Sequence, residues 1–325
     1  MTSTGIHMPE THGTGRHQTK VSAFLSTFTP KGEHMNGEAM KQQILEALSK
    51  KLGDGYHGTL EKVQKTNIDL DGLTILKDGE TITPTIYLEP FYKALENGVS
   101  VDDVTDRILY IYFNARTYKD QFDITSLSDF GYVKNKLYVQ LINRHLNKNL
   151  LRNIPHTMFL DDFAVAVRCT VEASEENNAS FMVHNRHLDV WQTDNETVLS
   201  LAISNTLAEH NVELMPLGQL IGEMAPSFPM EHSSDCGLWF MSTQKRTFGA
   251  AAVLHDDLLK DFADQHGSFY VIFSSIHEVL LMPSPNNSGI DSLTRHNQDV
   301  NATLSEEEIL GTKAYFYQKN RGFVL

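Results

Sequence analysis

Cysteine is scarce: the chain of 325 residues has two, Cys169 and Cys236. They lie far apart and form no CxxC pair, which excludes a disulfide-stapled secreted scaffold and a cysteine-built zinc site. The plain reading is two reduced thiols in a cytoplasmic protein. Cys169 falls in the apolar stretch Phe163–Thr170 and is expected in a core. Cys236 precedes Gly237 and is expected in a turn. No apolar run approaches the roughly 18 residues of a membrane span, and the N-terminus has no charged-then-apolar leader. Positive charge is also short. Against 41 Asp and Glu there are 27 Lys and Arg, a formal net charge of −14. An acidic surface repels phosphate backbones, so nucleic acid is a disfavoured partner, while a local basic patch stays compatible with the count. No GxGxxG, GxxxxGK[ST] or GxSxG stands at a strand-to-helix junction, so neither a nucleotide cofactor nor any other cofactor is implied.

The composition, 41% hydrophobic and 21% charged, is that of a soluble globular protein. Residues 1–37 show no periodicity and read as a disordered tail. His7, His12 and His17 recur there at five-residue spacing and are expected to be solvated. Residues 38–126 read as an N-terminal α+β subdomain and 127–325 as a C-terminal α+β domain. Met40, Ile44, Ala47 and Leu48 share one face of a helix over 38–52. Strands are expected at Thr59–Val63, Leu70–Lys77 and Thr81–Tyr87, with Asp78-Gly79 as a hairpin turn. Helices follow at Glu89–Glu96 and Val101–Asn114, the second capped by Ser100. The continuous run Phe163-Ala164-Val165-Ala166-Val167 predicts a central strand covered on both faces. Further on, strands are expected at Leu238–Ser242, Phe248–Leu254, Phe269–Phe273, Glu278–Met282 and Ala314–Gln318. The order strand-strand-helix occurs twice, at Phe159–Glu209 and Leu238–His266, which hints at two related layers. Hairpins with segregated helices predict an α+β fold of antiparallel sheets, with helices packed on one face.

The densest chemistry is Ser274-Ser275-Ile276-His277-Glu278. If extended, Ser275 and His277 share a face, about 6.5–7 Å apart at the Cα atoms. A hydrolytic reading makes Ser275 a nucleophile and His277 its base, with Glu278 as a further catalytic candidate. The competing reading is a strand-to-strand bend whose hydroxyls and imidazole satisfy backbone groups. A second cluster is His184-Asn185-Arg186-His187, before Asp189 and Trp191. His184 and His187, three apart, could share a metal on a helix. As a ligand-binding set, His184, Asn185, His187, Ser274, Ser275 and His277 stand together. A third candidate is an anion site from Gln244-Lys245-Arg246 with Arg186, Arg295 or Lys313. The pairs Asp161-Asp162 and Asp256-Asp257 read as capping and solvated carboxylates rather than Mg²⁺ ligands.

One ordered set of segments carries a resemblance. It comprises Thr83-Pro84-Thr85-Ile86-Tyr87-Leu88, Ile154-Pro155-His156 with Phe159-Leu160-Asp161, and Val183-His184-Asn185 with His187-Leu188 and Trp191. It continues with Phe248-Gly249-Ala250-Ala251, Ser274-Ser275 with His277-Glu278-Val279, and Val300-Asn301-Ala302-Thr303. Together these resemble a bacterial family, domain of unknown function 5688, over roughly Met35 to Tyr317. The resemblance implies a protein of Gram-positive gut bacteria, often encoded in mobile genetic elements, and carries no activity to transfer. The expectation is a non-enzymatic cytoplasmic accessory protein that binds a protein or small-molecule partner. A hydrolase using Ser275 and His277, or a metal at His184 and His187, is the alternative.

Overall fold

The computed structural model describes residues 10–11, 37–80, 83–117, 126–174, 177–208, 212–224, 237–284 and 289–324. Most of the tail at 1–37, with its three histidines, and the turn holding Cys236 lie outside them. The chain divides into two compact units. The first comprises Met1–Lys65, Asp69–Thr125 and Thr170–Phe181; the second comprises Thr66–Ile68, Ser126–Cys169 and Met182–Leu325.

In the first unit, helix α1 (Gly37–Leu52) buries Met40, Ile44 and Leu48 on one stripe, as the spacing predicts. Strands β1 (Tyr56–Gln64), β2 (Asp69–Lys77) and β3 (Thr85–Tyr87) form an antiparallel sheet in chain order. Gly72 in β2 is required by crowding. A Cβ there would lie 2.5 Å from Val63 Cγ2 and 2.8 Å from Thr85 Cγ2. The expected turn at Asp78-Gly79 is formed, with the Glu80 N–H donating to Lys77 O at 3.0 Å and Gly79 at φ 80°. The β2–β3 ladder begins only at Thr74 opposite Thr85, and Thr83 Oγ1 donates to Ile75 O across the gap at 2.5 Å. Helices α2 (Glu89–Glu96) and α3 (Val101–Thr117) follow, and the Ser100 hydroxyl accepts the Asp103 N–H at 3.1 Å. Leu73, Ile75, Leu88, Ile108 and Tyr112 close the core. At its margin Asp71, 7% exposed, accepts from Lys62 at 2.8 Å, Lys41 at 3.1 Å and the Tyr92 hydroxyl at 3.1 Å.

The second unit holds the clusters singled out above. Its first strands are β4 (Leu137–Asn143), β5 (His156–Phe159) and β6 (Phe163–Ser174), the last belonging to this unit as far as Cys169. β4 and β5 flank the near half of β6 on opposite sides, both antiparallel. Phe163 to Val167 are therefore buried on both faces, as their unbroken apolarity predicts. Cys169 is fully buried, and burial pushes its thiol up to about 12 against the opposing pull of Lys136. The return strand β7 (Asn177–Met182), in the first unit as far as Phe181, leads to α4 (Asn185–Trp191) and α5 (Asn195–Ala208) of the second, where Asp194 Oδ1 accepts the Thr197 N–H at 2.8 Å. Helix α5 lies against β4. The outward N–H of Val139, beyond which no strand pairs among the described residues, donates to Thr206 Oγ1 at 3.0 Å.

The remaining strands are β8 (Val212–Pro216), β9 (Trp239–Thr243), β10 (Phe269–Ile272), β11 (Val279–Pro283), β12 (Ala314–Gln318) and β13 (Gly322–Val324). They form an antiparallel sheet in the order β13-β12-β10-β11-β9-β8. Helices α6 (Leu217–Met224), α7 (Asp256–His266) and α8 (Ile290–Asn301) connect them. Phe248–Leu254, expected as a strand, is not one: Gly249–Leu254 winds as a 3-10 helix. Phe248 enters at φ 54°, and a Cβ on Gly249 would sit 2.6 Å from His277 O and 2.7 Å from Thr243 N. The small run Gly249-Ala250-Ala251-Ala252 thus packs its backbone against β9, which an extended strand with larger side chains could not do. The architecture is α+β with antiparallel sheets.

Candidate functional site

Ser274 to Glu278 form the bend between β10 and β11, and the bend is held by side chains. Ser274 and Ser275 are buried, 5% and 3% exposed. The backbone is pinned by Leu310 N–H to Ser274 O at 3.0 Å and by Ile276 N–H to Glu308 O at 2.9 Å. The Ser275 hydroxyl oxygen accepts the His277 N–H at 3.0 Å, a turn closed by the serine itself. Its hydroxyl also bonds Glu278, whose carboxyl is raised by burial against that bond, with Glu308 adding to the rise.

His277 is bound through its ring and through its carbonyl. Its Nδ1 accepts the Phe248 N–H at 3.2 Å, which assigns the proton of the neutral ring to Nε2. Its carbonyl accepts the Ser242 hydroxyl at 2.7 Å. The imidazole stacks on the Phe248 ring at 5.7 Å, and the Arg168 guanidinium lies 4.3 Å over the same ring. Nε2 faces Glu308 Oε1 at 3.8 Å. Burial lowers the His277 pKa, opposed by Glu308. No hydrogen bond joins the Ser275 hydroxyl to the His277 ring. The nucleophile-and-base pairing that the spacing suggests is not assembled, because each group is taken by a backbone or carboxylate partner.

The histidine cluster is a helix start. His184 is the residue before α4, with extended backbone, so it and His187 do not occupy the helical i, i+3 positions that a shared metal would use. His187 Nδ1 accepts the His184 N–H at 2.9 Å, and the two rings stand nearly perpendicular with centroids 5.9 Å apart. Trp191 is buried and donates from Nε1 to Leu127 O at 2.8 Å. Among the described residues no three His, Cys, Asp or Glu side chains are grouped to hold a metal ion. Asn185 is tied by its N–H to Asn153 O at 2.8 Å and by Nδ2 to Arg152 O at 3.3 Å. The structure therefore brings Asn185 to the 152–153 turn and leaves Ser274, Ser275 and His277 among different partners.

The candidate anion site at Arg246 is not formed either. Arg246 pairs with Glu213 at 2.7 Å and lies 3.8 Å from Glu223, two acidic residues of the β8–α6 segment. Lys313 pairs with Asp162 at 2.8 Å. Asp162, 9% exposed, also accepts the Tyr315 hydroxyl at 2.5 Å and faces His145 Nε2 at 2.9 Å. Burial resists its ionisation, but the bonds from Lys313, Tyr315 and His145 prevail and hold the carboxyl down at about 2. Asp256 pairs with Lys260 along α7. Neither Asp pair presents two carboxylates to one point.

Sequence reasoning missed one feature. Arg144, His145, Lys148, Leu151, Arg152, His156 and Met158 line a pocket of about 630 Å³. The chain folds around it because Asn143 Oδ1 accepts the His145 and Leu146 N–H groups at 2.8 and 3.0 Å, turning the end of β4. A single helical turn, Lys148–Leu151, then leads through Pro155 into β5. The Arg144 guanidinium donates to the Asp161 carbonyl at 3.3 Å, and its N–H donates to Asp162 O at 2.9 Å. Among the described residues no carboxylate pairs with Arg144, Lys148 or Arg152. The signal was available, since five cationic or imidazole side chains fall within 144–156 and no acidic residue interrupts them.

No curated protein and no solved structure matches the chain. Residues 38–319, close to the span marked out by the shared segments, match the family described as a family of unknown function (DUF5688), and the protein belongs to that family.

Proposed function

We propose that the protein is a cytoplasmic accessory protein without catalysis of its own, of the kind encoded in bacterial mobile elements. It binds a partner protein or small ligand on its second unit. The observation that supports this is the commitment of Ser275 and His277. The serine oxygen takes a backbone N–H and the hydroxyl goes to Glu278, while the imidazole Nδ1 takes the Phe248 N–H. A general base needs its lone pair directed at the nucleophile's proton, and here that lone pair is occupied. Polar groups at the ends of rigid strands are the usual means by which a scaffold presents a recognition surface.

The test is chemical. Untagged protein is treated with a serine-directed fluorophosphonate and weighed intact, and its metal content is measured by elemental analysis. The expected result is unchanged mass and no stoichiometric metal. A phosphonate adduct mapped to Ser275 and absent from Ser275→Ala, or stoichiometric metal lost on His184→Ala, would overturn the reading.

A further inference from the structure

We infer that the pocket lined by Arg144, Lys148, Arg152, His145 and His156 binds a small phosphate-bearing molecule. The inference rests on the non-enzymatic reading above and gives it a ligand class. Three cations border one cavity of about 630 Å³, and two imidazoles complete its rim, His145 bonding Asp162 through Nε2 at 2.9 Å and His156 donating from Nδ1 to Ile154 O at 3.0 Å. Arg144, Lys148 and Arg152 are exposed and pair with no carboxylate among the described residues, so an anion entering the cavity meets three uncompensated positive charges. A single carboxylate would neutralise only one of the three. A phosphate or diphosphate group offers several charges and the oxygen geometry that guanidinium forks grip in pairs. Leu151 and Met158 supply an apolar part of the lining against which the rest of the molecule can lie. The volume lies within the range of small-ligand pockets.

Charge also decides between a small ligand and a nucleic acid. The chain carries a formal net charge of −14. A long polyanion meets that field along its whole length, whereas a small anion inside the pocket lies within about one Debye length, roughly 8 Å, of the local cations. The cations are also available. Lys148 and Arg152 are exposed and spend their charge on no carboxylate among the described residues, whereas Arg246 and Lys313 are paired.

The probe is inorganic pyrophosphate, titrated calorimetrically into the full chain at low and at physiological ionic strength. The expected result is saturable one-site binding that weakens with salt. Lys148→Gln and Arg152→Gln should each weaken it about tenfold, the scale of one charge-assisted bond, and Arg295→Gln, an exposed cation outside the pocket, should leave it unchanged. Absence of binding, or equal loss in Arg295→Gln, would refute the pocket while leaving the non-enzymatic reading standing. A single-stranded oligothymidylate that displaces pyrophosphate at lower concentration would refute the small-ligand assignment. Phosphorus NMR of the bound sample separates the two readings from the other side. Pyrophosphate that stays intact supports both, and steady release of orthophosphate by wild type but not Arg152→Gln would keep the site and overturn the absence of catalysis.

Discussion

Replacing Asp162 by Asn should destabilise the second unit in a way that depends on pH. The carboxyl is held at about 2 in the native protein, against about 3.9 in an unfolded chain. That difference corresponds to about 2.5 kcal/mol of native stability at neutral pH. Lys313 is 60% exposed, so solvent screens its share and the figure is an upper bound; about 1.5–2.5 kcal/mol is expected. The sign follows from the depressed native value. The stabilisation is complete above the unfolded value near 4 and is lost as pH falls through about 2. The assay is urea unfolding followed by tryptophan fluorescence, since the two tryptophans, Trp191 and Trp239, both lie in this unit. Wild type should exceed Asp162→Asn at pH 7, and the gap should close steadily between about pH 5 and pH 2. A gap of the same size at every pH would show that Asn disturbs packing and that the carboxylate's charge contributes nothing.

Close packing and burial elsewhere in the molecule set three further expectations. Gly249→Ala should cost at least about 3 kcal/mol or abolish soluble expression, because its Cβ would meet backbone atoms at 2.6 and 2.7 Å; a variant within 1 kcal/mol of wild type in urea would refute the close approach. Cys169, buried with its thiol pushed up to about 12, should resist iodoacetamide at pH 8 in the native state and react once unfolded in urea, as read by peptide mass mapping. His277, lowered by burial, should titrate below 6.5 in a nitrogen-detected NMR experiment, with Nε2 carrying the proton of the neutral ring. The unfolded chain then takes up the proton first, so this residue makes stability fall as pH drops below about 6.5. A midpoint at or above 6.5 would contradict its placement under Phe248.

The fold was legible where one interaction dominates. Met40, Ile44 and Leu48 declare a helix face because nothing but α1 can bury all three together. Phe163 to Val167 declare a strand flanked on both sides because no polar residue interrupts them. Ala314–Gln318 appears as a strand with the expected bounds. Legibility failed where distant backbone decides. The run from Gly249 to Leu254 suits a strand by composition, yet the carbonyl of His277 and the backbone of Thr243 leave room only for a tight 3-10 turn. β8 and α6 went unseen because neither Val212–Pro216 nor Leu217–Met224 has a strong cap or a long periodic stripe. At the site, the types of residue were visible and their pairings were not. Spacing places Ser275 beside His277, but the partners that claim them, Phe248 and Glu278, depend on the bend. The pocket cations escaped notice because they sit on a strand end, a single turn and a second strand, so no one period links them.

The hydroxyl of Thr206 has a consequence for how this molecule behaves in company. A sheet margin with bare amides invites another chain to continue the ladder. Here a side chain from α5 fills one of the hydrogen-bonding positions a newcomer would need, and Asn205 Nδ2 occupies the nearby Leu137 carbonyl at 2.8 Å. Any intruding strand would first have to lift the helix away, so two polar side chains oppose growth of this sheet at the β4 margin.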